Sequence, residues 1–188
     1  MRDLTRKTGI IALSIVLLMA SFMSFPVSTV YAAVEGDFEY IHLGDGTAKI
    51  TGYTGPSGGN VDIPGSVGDD LTVVEIGSQA FQDNQLTSIT IPDSVTTIGE
   101  MAFRDNQLTE LTLPSSITKI NPYAFMDNQL TKLEIPDSVT VIGTGAFGNN
   151  ALEDVLILNH DAEFGNIVFI NNQVTLTLYG YDSSTIGF

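Results

Sequence analysis

The chain has 188 residues, with 22 Asp plus Glu against 7 Lys plus Arg, no Cys, no Trp and a formal net charge of −15. Hydrophobic residues make up 43% and charged ones 15%, a balance too apolar for an acidic disordered tail. The lack of Cys rules out disulfide frameworks, thiolate zinc sites, iron–sulfur clusters and a Cys nucleophile, and the acidity argues against nucleic acid and anionic lipid.

Residues 1–32 read as a secretory signal peptide. Arg2, Arg6 and Lys7 form a basic start, and residues 10–25 follow as an uncharged apolar run. Val30-Tyr31-Ala32 then offers small residues at the −3 and −1 positions, which places cleavage between Ala32 and Ala33. The alternative is an uncleaved N-terminal anchor, since ~18 apolar residues approach a membrane span. Removing residues 1–32 takes away Arg2, Arg6, Lys7 and Asp3. It leaves 156 residues with 21 acids and 4 bases, a net charge of −17, and no membrane span in the mature chain. An exported chain without cysteine fits a bacterial source better than a eukaryotic one.

Next in chain order, residues 33–60 read as a capping hairpin and linker. FEYIHLGDGTAKITGY (38–53) alternates on both sides of a Gly-Asp-Gly turn. Residues 61–81 form a first repeat with six extra residues, because Pro64 and Phe81 are 17 apart where Pro92 and Phe103 are 11 apart. From Leu86 four segments of 22 residues follow: 86–107, 108–129, 130–151 and 152–173. Phe recurs at Phe81, Phe103, Phe125, Phe147 and Phe169, and Asn at Asn84, Asn106, Asn128, Asn150 and Asn172. Two independent columns at one period define five repeats over 61–173, a solenoid whose units bury their apolar faces only by stacking.

Each unit divides in two. A short alternating strand points Ile89 and Ile91, Leu111 and Leu113, or Leu133 and Ile135 inward. Pro92, Pro114 and Pro136 end it, because Pro cannot donate to a continuing ladder. A second inward pair follows: Val95 and Ile98, Ile117 and Ile120, or Val139 and Ile142. An Ala-Phe pair then closes the coil. No unit has ten residues of helical period, so only single 3₁₀-like turns are expected. The Asn column reads either as an internal ladder bonding buried backbone groups or as an exposed turn former. An amide that both donates and accepts suits the ladder.

The pattern Ile-Pro-Asp-Ser-Val at 91–95 and 135–139, with Ile-Gly at 98–99 and 142–143, resembles the BspA-like family of bacterial leucine-rich repeats. The likeness runs over about residues 38–183 and implies a β-rich leucine-rich-repeat solenoid of short parallel strands. Coil five departs from it: Leu158 replaces Pro, Asp161 replaces Val and Val168 replaces Ala, which puts its strand register in question. Residues 174–188 resemble the family's closing segment. Family members match up to the Ser and then continue into a short closing segment, so the end at Ile186-Gly187-Phe188 reads as truncated, or alternatively as closed by Tyr179, Tyr181 and Phe188 folding back.

Catalysis finds little footing in these residues. His42 and His160 are about four coils apart, no GxSxG-like elbow exists, and Asp69-Asp70 reads as a solvated turn. The Asp45 and Asp69/Asp70 loops are oxygen-rich but lack the D-x-[DN]-x-[DN]-G pattern of a calcium loop. No enzyme activity, cofactor or metal is therefore expected. The outward set on the strand face is the candidate binding surface: Ser88, Thr90, Glu110, Thr112, Lys132, Glu134, Asp154 and Leu156. Glu110, Lys132 and Asp154 fall in one column, as cross-strand charge pairs or as part of a docking face. The family resemblance implies a monomeric, secreted or cell-surface adhesion module for an extracellular protein or cell-surface polymer. The alternative is a structural spacer or targeting module of a larger secreted protein.

Overall fold

Alternation of apolar and polar residues over four to seven positions builds most of the strands seen in the computed structural model, which describes residues 32–159 and 161–178. An antiparallel cap comes first: β1 (Ala32–Glu35), β2 (Phe38–His42) and β3 (Thr47–Tyr53). The sheet thus begins one strand before the 38–53 hairpin. β4 (Gly59–Asp62) opens the strand face of the solenoid. The six extra residues of the first repeat fall within a small antiparallel hairpin, β5 (Ser66–Val67) with β6 (Leu71–Ile76).

After this insertion the coils stack with two faces, a strand face and an opposite face of shorter strands. The strand face carries β7 (Leu86–Thr90), β10 (Lys132–Ile135), β12 (Asp154–Ile157) and β14 (Thr175–Leu178). The opposite face carries two-residue strands: β8 (Thr97–Ile98), β9 (Lys119–Ile120), β11 (Val141–Ile142) and β13 (Glu163–Phe164). These run parallel from β6 onward, joining the cap into one nine-stranded sheet. Coil five keeps its register despite Leu158, with Lys132 opposite Asp154 and Ile135 opposite Ile157. β14 pairs with β12 in the same parallel sense.

Between the faces lies one apolar column. Val95, Ile98, Ile117, Ile120, Val139 and Ile142 are fully buried. The rings of Phe81, Phe103, Phe125 and Phe147 stack at 5.1, 5.2 and 5.4 Å, and Phe169 continues the column at 5.9 Å. At its N-terminal end Tyr53 lies on Phe81 at 5.5 Å, so the cap hairpin supplies the ring that a preceding coil would have supplied. The turns carrying Ala-Phe close with i→i−3 bonds such as Ala80 to Gly77 and Gln82 to Gln79. Left-handed φ at Gln79, Met101 and Tyr123 confines each to a single turn. No helix among the described residues is long and apolar enough to cross a membrane.

Candidate binding face

The strand face is built by the period-2 rule. Leu133, Ile135, Val155 and Ile157 point into the core, which leaves Lys132, Glu134 and Asp154 exposed and Leu156 half-buried. Ser88, Thr90, Glu110 and Thr112 are exposed in the coils before them. Lys132 Nζ lies 3.6 Å from Asp154 Oδ2, with the two side chains 78% and 67% exposed. Such an exposed pair contributes about 0–1 kcal/mol. Glu110, the next member of the column, has no cation partner among the described residues. Farther along, Thr90 Oγ1 donates to Asp62 Oδ1 at 2.7 Å.

One coil breaks the face. β7 pairs only with β4, and β10 only with β12, so residues 109–113 carry no ladder on either side. None of their N–H or C=O groups is hydrogen-bonded among the described residues, although Gln107 N–H reaches Leu86 O and Gln129 N–H reaches Leu108 O just before them. Backbone groups without partners must stay in contact with water. Leu111, expected to point inward with Leu113, is accordingly only half-buried. At this break and over the next two coils lies an open trough of about 820 Å³, lined by residues from Thr109 to Leu156. A smaller hollow of about 230 Å³ adjoins it at Thr90, Asp93 and Thr112.

The Asn column lies inside the turn on another edge. Asn106 Oδ1 accepts from the N–H groups of Asn84 and Leu86, at 3.2 and 3.0 Å. Its Nδ2 donates to the carbonyls of Phe81, Phe103 and Arg104. Asn128 repeats the set on Leu108, Phe103, Phe125 and Met126. Asn150 and Asn172 do the same for their coils. Asn84, at the start, bonds only Gln82 O through its amide nitrogen. Beside this ladder runs a column that sequence reading missed: Asp83, Asp105, Asp127, Asn149 and Asn171 all have left-handed φ. Asp and Asn tolerate that conformation better than other side chains, which accounts for the residue choice.

The remaining candidates are dispersed. His42 sits half-buried in β2, and His160 lies outside the described residues. Asp45 Oδ1 accepts from the Thr47 N–H at 3.1 Å and from the Thr47 hydroxyl. The hydroxyl bond is the main reason its carboxyl lies below the usual carboxylate range. Asp69 and Asp70 are exposed at the β5–β6 turn. Among the described residues no three His, Asp or Glu side chains converge as metal ligands.

Stacked 22-residue coils with a laddered Asn corner define a leucine-rich-repeat β-solenoid. The match to the BspA type leucine rich repeat region is direct, with six copies over residues 69–184. The chain belongs to that family. Among curated proteins no sequence matches. A leucine-rich repeat protein from Bacteroides ovatus is 26% identical with a TM-score of 0.64, over 76% of this chain and 40% of that one. One from Bacteroides capillosus is also 26% identical, with a TM-score of 0.52, over 79% of this chain and 99% of that one. The pneumococcal vaccine antigen PcpA, 21% identical, shares the fold with a TM-score of 0.61, over 81% of this chain and 51% of that one. The chain thus spans well under two thirds of the Bacteroides ovatus protein's length and about half of PcpA's.

Proposed function

We propose that the chain is a secreted or cell-surface binding module whose strand face docks an extracellular macromolecule, and that it is not an enzyme. The observation that carries this is the trough over residues 109–156, where the face is concave, lined by aliphatic side chains among hydroxyls and carboxylates, and without cover from any other described element. The basic start and apolar run of residues 1–32 support export, and the family's repeat architecture supports a role in recognition. The face brings together hydroxyls, carboxylates and one lysine, which suits non-covalent docking and assembles no nucleophile–base pair. A spacer role is the second reading. It is favoured by the Lys132–Asp154 pair, which gives part of the face's charge a partner inside the chain.

The test is surface plasmon resonance with residues 33–188 immobilised and defined matrix proteins and purified cell-wall polymers in solution. Saturable binding to at least one, lost in a Glu110→Lys/Glu134→Lys double variant of unchanged melting temperature, is the expected result. Binding to none, or binding indifferent to the double variant, would overturn the strand face as the docking surface.

A further inference from the structure

We infer that the trough's occupant is an extended, cationic protein segment in which Lys or Arg alternates with aliphatic residues; this rests on the strand face being the docking surface. Charge gives the first argument. Glu110, Glu134 and Asp154 line the trough against the single cation Lys132. After residue 32 only Lys49, Arg104, Lys119 and Lys132 oppose the acids of the whole chain. Such a field draws in a basic partner and repels anionic polymers and anionic lipid surfaces.

Spacing gives the second. Glu110 and Glu134 stand on adjacent coils, offset by two positions along the strand direction, and both line the trough. Alternate side chains of an extended chain stand about 7 Å apart. An extended ligand thus presents a row of cations on one side to this row of carboxylates, and each charge-assisted contact is stronger than a neutral one. Leu111 and Leu156, both half-exposed within the trough, meet the aliphatic stems of those cationic side chains. No aromatic ring lines it, so the stacking platform a sugar chain would use is missing among the lining residues.

The unladdered coil supplies a reporter. Amides of residues 109–113 lack hydrogen-bond partners among the described residues and should exchange with solvent faster than those of β7 and β10 in the free protein. The probe is a fluorescein-labelled octapeptide alternating Lys and Val, compared with Glu–Val and Thr–Val peptides, by anisotropy and hydrogen exchange on residues 33–188. The Lys–Val peptide should bind, slow exchange over 109–113, and lose affinity as salt rises from ~0.01 M to ~1 M. Glu110→Gln/Glu134→Gln should weaken it by about tenfold or more, whereas Lys132→Gln, which frees Asp154, should strengthen it. These positions are exposed, so unchanged melting temperatures should verify intact folding. Equal or tighter binding of the Thr–Val or Glu–Val peptide with protection of 109–113 would overturn the cationic occupant while leaving the docking face standing. Protection of 109–113 by none of the peptides, together with no binder in the surface plasmon resonance test, would overturn both.

Discussion

A single side chain, Asn106, illustrates how residue chemistry fixes the coil. Its amide makes five bonds to backbone groups of two coils and is only 6% exposed. Removing it strands those groups, so Asn106→Ala should cost ~1–3 kcal/mol by denaturant unfolding. Asn106→Asp should be no better, because an ionised carboxylate cannot donate and would face three carbonyl oxygens. Rescue by Asp would show that the donated bonds contribute nothing. Asp45 is the other informative residue. Its carboxyl is lowered in the folded chain, chiefly by the Thr47 hydroxyl. That contribution to stability is present above the ordinary Asp range and lost as pH falls through the lowered value. Thr47→Val should raise the Asp45 titration towards its ordinary position in a carboxyl NMR experiment and shrink the acid-side loss.

At the scale of elements, the phenylalanine column and the glycine corners set how closely coils approach. Phe103 lies between rings at 5.1 and 5.2 Å and is fully buried. Phe103→Ala should cost ~3–5 kcal/mol, read from the denaturation midpoint. Gly99, Gly143 and Gly165 have no left-handed φ. They are needed because a Cβ would stand 2.5, 2.3 and 2.3 Å from the backbone of the preceding coil. The phenylalanine column, like the asparagine one, was legible because it recurs at a single spacing, whereas the glycine corner is interrupted by Asn121. The elements that escaped sequence reading did so for physical reasons. β8, β9, β11 and β13 have two residues each, too few for alternation to register as a strand. β4 begins in a Gly-rich stretch that reads as linker. The missing ladder at 109–113 was invisible, since LTELTLP has the same apolar pattern as its neighbours. The outward residues of the face could be named from the pattern, but the trough between them could not.

For the whole molecule, stability is distributed along one axis. Each coil contacts its neighbours, and the described chain holds one continuous apolar cluster from Tyr40 to Phe169. In such an array stability is close to a sum of unit and interface contributions. Deleting residues 108–129 joins Gln107 to Leu130 in phase and should leave a folded, shorter solenoid with a lower melting temperature. Deleting 108–118 puts strand against turn and should abolish the cooperative transition in circular dichroism. Equal outcomes for the two deletions would refute the nearest-neighbour account.

The asparagine corner also gives the stack a direction in time. Asn106 serves Leu86 and Phe81, Asn128 serves Leu108 and Phe103, and Asn172 serves Leu152 and Phe147, in each case residues that precede it by 20 and 25 positions. Every coil is thus sealed by its successor, like courses of brick in which each row locks the row beneath. A chain emerging N-terminus first builds in the order that this bonding demands, and the newest coil is always the provisional one. A lesion at one asparagine falls upstream of itself: Asn128→Ala should speed hydrogen exchange at the Leu108 amide while leaving that of Leu130, held by Asn150, unchanged.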